Sequence, residues 1–122
     1  MATAQSGYGV YADYQSDHED ILTEQEFARF NRVASCMVDY LAGRGVDGEN
    51  PYVREAVHWQ IWFMRQKGSL AACFQRKPHK ERFAEYTVEL DRDSGNRIVC
   101  GIELCPMTLS MLRGGGIVSD WL

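Results

Sequence analysis

Residues 50–68, NPYVREAVHWQIWFMRQKG, form the longest strongly apolar stretch of the chain and carry two of its three tryptophans. Their reading decides the fold. Asn50 is of a type whose side chain accepts from an early helical N–H, and Pro51 suits the first helical position, where its missing N–H costs nothing. Val53, Val57, Ile61 and Met64 recur at intervals of four and three, which is one face of a helix. Trp59, Trp62 and Phe63 point elsewhere, so the second half of the helix is apolar over most of its circumference and needs cover on several sides. Burying each large side chain is worth about 2 kcal/mol, a sizeable share of a small domain's margin. The expected cover is a sheet on one side and another helix on the other. A partner surface is the alternative, because tryptophan and arginine anchors dominate interface energetics.

The companion helix lies upstream. Thr23, Glu24, Gln25 and Glu26 match a capping box, and Leu22 and Phe27 stand where a hydrophobic staple places its apolar pair. Phe27, Phe30, Ala34, Met37, Val38 and Leu41 then form a stripe that Gly43 ends. The loop RGVDGEN returns the chain, so residues 23–42 and 51–77 are expected to form an antiparallel helical hairpin. The run to Lys77 includes a kink at Gly68, since one glycine costs a helix only about 1 kcal/mol; Pro78 then stops it.

Further on the period changes to two. Ala84, Tyr86, Val88 and Leu90 alternate with polar residues, as do Ile98, Cys100, Ile102 and Leu104, and DRDSGN between them has turn chemistry. A β-hairpin of 83–90 with 97–104 is expected. Cys105-Pro106 should open a short helix, PMTLSML, that Gly114, Gly115 and Gly116 stop before a last strand, IVSDWL. At the other end, Tyr8, Val10, Ala12 and Tyr14 alternate as in an edge strand, although an ordered arm with docked tyrosines fits the same residues; 15–20 reads as an acidic loop. The expected fold is therefore α+β: an antiparallel helical hairpin packed on a small, three- to four-stranded, mainly antiparallel sheet, with a short C-terminal helix. Residues 1–122 read as a single domain, divided into an acidic, tyrosine-containing arm (1–20), the helical hairpin (23–77) and a β-rich part (82–122).

At 122 residues, 45% hydrophobic and 25% charged, the composition is that of a folded globule with one core. The start, MATAQSGYGVYADYQSD, lacks the basic and apolar regions of a signal peptide, and no segment approaches bilayer length. A cytosolic location follows as the expectation, with Cys36, Cys73, Cys100 and Cys105 reduced and mostly buried.

The net charge of −4 is unevenly spread. The first 28 residues hold Asp13, Asp17, Glu19, Asp20, Glu24 and Glu26 with no lysine or arginine. Arg65, Lys67, Arg76, Lys77, Lys80 and Arg82 make a basic pole with only Glu81 against it. These poles are expected either to attract each other in the fold or to steer an oppositely charged partner.

Catalytic and ligand-binding signatures are sparse. Cys100 and Cys105 lack a second pair at ligand spacing, so neither a metal nor a cofactor is expected. Cys73, His58 and Glu55 could be assembled into a nucleophilic set, but nothing in the sequence fixes their distance; Glu55 and His58, three apart, could touch within one helical turn. GxSxG, HExxH and a phosphate-binding loop are all missing from the sequence. The leading expectation is a non-enzymatic protein-binding module, such as an inhibitor, an immunity protein or a phage-encoded antagonist, that uses Tyr8, Tyr11, Tyr14, Asp13, Asp17, Glu19 and Asp20 to occupy a target's basic surface. Self-association through Trp59 and Trp62, giving a homodimer, accompanies it. One alternative is a nucleic-acid-binding regulator using 65–82, against which the sequence pI near 5.3 weighs. Another is a small-ligand binder or enzyme with a pocket of Trp59, Trp62 and Phe63.

Overall fold

A computed structural model of the chain describes residues 7–43, 46–73, 89–90 and 96–118. Helices dominate it: α1 (Tyr11–His18), α2 (Glu24–Ala42), α3 (Pro51–Arg65) and α4 (Pro106–Gly114), with short strands β1 (Glu89–Leu90), β2 (Arg97–Val99) and β3 (Ile102–Glu103) before α4. None of the helices among these residues is long and apolar enough to cross a membrane.

α3 is the centre. Asn50 Oδ1 accepts from Tyr52 N at 2.8 Å, Pro51 occupies the first turn, and Val53, Val57, Ile61 and Met64 are all fully buried. α2 packs against one side as the antiparallel arm of a hairpin, which brings the Arg65 guanidinium 5.9 Å over the Phe30 ring. Its capping box forms as the sequence dictates, with Thr23 Oγ1 accepting from Glu26 N at 3.1 Å and Glu26 Oε1 accepting from Thr23 N at 3.0 Å. Thr23→Ala should cost about 1 kcal/mol, read as a shift of the urea midpoint at constant slope.

The expected layering is overturned. α4, not a sheet, covers the second side of α3: Thr108 Oγ1 donates to Ala56 O at 2.9 Å, Gln60 bonds the backbone of Glu103 and Cys105, and Gly115 closes on Tyr52. The two helices therefore run antiparallel. The three- to four-stranded platform is replaced by a ribbon whose strands are two or three residues long, in the order β1-β2-β3. The cause is Cys100-Gly101. Both have positive φ, 55° and 83°, and they connect the paired residues Val99 and Ile102, so the segment 97–104 folds back on itself where one strand was expected. Positive φ at both central residues is the mark of a type I′ hairpin turn.

Three further corrections have local causes. α3 stops at Arg65, because Gly68 adopts φ 105° and the chain leaves the helix through a turn before a 3₁₀ segment at Ala71–Cys73. Residues 11–18, expected as strand end and loop, are helical. Ile117 and Val118 are not in a strand. The expected first strand at 83–88, the turn at 91–95 and the final residues 119–122 lie outside the described residues. Of the four thiols, Cys36 and Cys100 are exposed, which corrects the expectation of a mostly buried set.

Candidate functional site

The buried polar side chains show how the fold is tied together. Tyr8 N donates to Ser35 Oγ at 2.8 Å, Gly9 N to Asn31 Oδ1 at 2.8 Å and Val10 N to His58 Nε2 at 3.0 Å. Successive backbone donors of this non-helical segment thus dock on side chains of α2 and α3 instead of on a neighbouring strand. Asn31 Nδ2 returns a bond to Gly9 O at 3.2 Å, completing the pairing. Gly9 allows this approach, because a Cβ there would lie 2.9 Å from Asn31 Oδ1 and 3.2 Å from His58 Cδ2.

Beyond Val10, side chains of α1 meet those of α3. Tyr14 is fully buried, edge-on to His58 at 5.7 Å and stacked on His18 at 5.0 Å; His18 in turn meets Trp59 edge-on at 4.8 Å, and Trp59 meets Trp62 at 5.7 Å. Asp17, one position before His18, comes over Glu55 and His58 of α3. Atoms of Asp17, Glu55 and His58 able to ligate a cation all lie within 4.8 Å of one another. Asp17 is exposed, Glu55 half-buried and His58 wholly buried, so the cluster opens to solvent on the Asp17 side.

Burial sets the electrostatics. It pushes the His58 pKa down to about 4; His18 and Arg54 add to the depression, while Asp17 and Asp13 oppose it. Burial also lowers His18, against the pull of Glu55, Asp17 and Asp20. His58 is therefore neutral at pH 7. Because its Nε2 accepts from Val10, its Nδ1 carries the ring proton, and Nδ1 is buried with no hydrogen-bond partner. In this state His58 offers no free lone pair for proton abstraction.

The residues singled out in the sequence have separate fates. Tyr14 OH donates to Asp20 Oδ2 at 2.6 Å, Tyr11 OH to Leu22 O at 2.7 Å and Tyr8 OH to Asp39 Oδ1 at 2.5 Å, so the tyrosines of the arm serve the fold. Asp20 also pairs with Arg65, Nε to Oδ2 at 2.9 Å, and the guanidinium holds its carboxyl below the usual range. Asp13, Asp17 and Glu19 remain exposed. Among the described residues, the acidic and basic poles thus meet at the Asp20–Arg65 pair. Lys67 pairs with Glu103 at 3.1 Å and lies 5.1 Å from the Phe63 ring centre, while Arg76, Lys77, Lys80 and Arg82 lie outside the described residues. The Cys73 thiol donates to Met64 O at 3.3 Å, which engages it within the turn that follows α3. A groove of about 640 Å³ runs beside the docked segment, bordered by Arg32, Cys36, Asp39, Glu49 and Arg54, and not by the tryptophans expected to line a pocket.

No known family, curated protein or solved structure matches this chain. Its site rests on its own geometry. Asp17 was legible only as one acid among several, and its place beside His58 depends on 11–18 being a helix.

Proposed function

We propose that the protein is a non-enzymatic, cytosolic protein-binding module that engages a basic surface of its partner through the acidic α1–α2 junction, as an inhibitor or immunity protein would. The observation that carries this reading is Ile21, which is 90% exposed although the backbone on either side of it is fixed. Asp20 is pinned by Arg65 and Tyr14, Ile21 O accepts from Arg65 Nη2 at 3.0 Å, and the buried Leu22 accepts from Tyr11 through its carbonyl. A large aliphatic side chain held in water on ordered backbone is already arranged for a partner's pocket, so little ordering entropy opposes docking. Glu19 and Glu24 flank it in sequence, and exposed Asp13 and Asp17 extend the acidic surface along α1. Such a rim favours basic partners and accelerates their encounter.

Affinity capture from a native lysate, with nuclease and at low and high salt, tests this. The wild-type chain should retain a stoichiometric protein whose binding weakens with salt. Ile21→Asp should lower that affinity by about 30-fold or more and leave stability within about 0.5 kcal/mol. Retention unchanged by Ile21→Asp and by Asp13→Lys with Glu19→Lys would refute the surface. Half-buried Trp59 and Trp62 also support a second copy of the chain as partner; sedimentation at high concentration that shows only monomer would exclude that form.

A further inference from the structure

The geometry points to a divalent transition-metal site formed by Asp17, Glu55 and His58 Nδ1, whose occupation releases the amide of Val10 from His58. Two independent features meet here. Two carboxylates from different helices converge with an imidazole inside 4.8 Å, and a shift of about half an ångström by the exposed Asp17 side chain brings the three within the roughly 4.3 Å that bonds of about 2.0–2.2 Å to one ion allow. The second feature is the buried Nδ1, which is left unpaired among buried polar side chains that otherwise clamp backbone: Asn31, Ser35, Gln60 and Thr108 all have partners. A fully buried donor without an acceptor is costly, and a metal bond at that atom removes the cost.

Ring chemistry fixes the consequence. Neutral imidazole carries one proton, and Val10 N–H directed at Nε2 places it on Nδ1. A cation bound at Nδ1 needs the lone pair there, so the proton moves to Nε2 with no net gain or loss by the ring. Nε2–H then confronts Val10 N–H, and the two donors separate. Metal binding and release of the 8–10 segment at Val10 are therefore one event. One nitrogen and two oxygens favour borderline ions such as Zn²⁺ or Co²⁺ over Mg²⁺ or Ca²⁺, which take oxygen alone. Asp17 belongs to both the site and the acidic rim, but Ile21, Asp13 and Glu19, whose substitutions test the partner surface, take no part in the site, so the two can fail separately.

The test uses Zn²⁺ and Co²⁺ alone, titrated calorimetrically into the full chain, with Mg²⁺ and Ca²⁺ for comparison and amide exchange followed residue by residue. Saturable one-to-one binding is expected, weakened about 10-fold or more by Asp17→Asn and by Glu55→Gln, with Val10 amide exchange accelerated about 10-fold or more on loading. Asp17 is exposed, so its variant folds whatever becomes of His58 substitutions. Absence of saturable binding, or binding that survives both substitutions as it would at the exposed thiols Cys36 and Cys100, overturns the site. Binding that leaves the Val10 amide protected overturns the coupled release.

Discussion

Gln60→Ala is expected to destabilise the protein by about 3–5 kcal/mol, on the scale of one to three for each buried backbone group left unpaired. Gln60 is fully buried at the middle of α3, and its amide acts as a substitute strand: Nε2 donates to Glu103 O at 3.0 Å and Oε1 accepts from Cys105 N at 2.8 Å. Leu104 N, between them, points the other way to Arg97 O at 2.7 Å. Among the described residues, β3 therefore has β2 on one edge and the Gln60 side chain on the other. Alanine would take away the bonds that Gln60 makes to Glu103 O and Cys105 N in the interior and leave a void, which together approach the 5–15 kcal/mol total of an ordinary domain. Gln60→Met separates the causes, because it restores volume and not hydrogen bonds. Urea unfolding should place Gln60→Met within about 1–2 kcal/mol of the alanine variant; recovery of full stability by methionine would show that packing alone was at stake.

The same residue explains what the sequence could and could not convey. Periodicity identified α2 and the buried face of α3 correctly, because repeated apolar spacing and capping residues act locally: Val53, Val57, Ile61 and Met64 are buried, and Thr23 and Glu26 bond as their spacing demands. It failed wherever a side chain stands in for a strand. Residues 7–10 are not the strand that alternation implied: the backbone bends at Tyr8 and is extended at Val10, with φ −119° and ψ 121°, and its amides meet Ser35, Asn31 and His58 on helices, which no local pattern encodes. Likewise Gly101 sat inside an alternating run that ignored it, although glycine within a strand pattern signals a sharp bend. Asp17 was visible as an acid and Glu55 with His58 as a helical pair. Only the contact of α1 side chains with those of α3 makes them a cluster. Ile21 gave no signal at all, because exposure of an aliphatic residue depends on what the rest of the fold leaves uncovered.

Acidifying the metal-free protein from pH 7 to pH 4, with chelator present, is expected to cost about 3 kcal/mol through His58, since each unit of pKa difference is worth about 1.4 kcal/mol. Burial takes the folded pKa from 6.5 to about 4, so the unfolded chain binds its proton first. The contribution is complete above pH 6.5, is lost progressively as pH falls towards 4, and then levels off. Groups facing the ring work in both directions: His18 and Arg54 oppose protonation, while Asp17 and Asp13 favour it. His18, also lowered by burial, adds loss in the same direction. Asp20 acts lower down, because its pKa is depressed below 3.8 by Arg65. His58→Gln isolates the effect: its amide oxygen can still accept from Val10 N but does not titrate, so the slope between pH 6.5 and 4 should shrink to the His18 share. Stability that stays flat across that window in the wild-type chain, or an equal slope in both proteins, would mean that His58 is already protonated in the fold. What acid attacks first is the bond from Val10, because the new proton on Nε2 faces that amide. Amide exchange at Val10 should therefore accelerate before the core amides of α2 and α3 do.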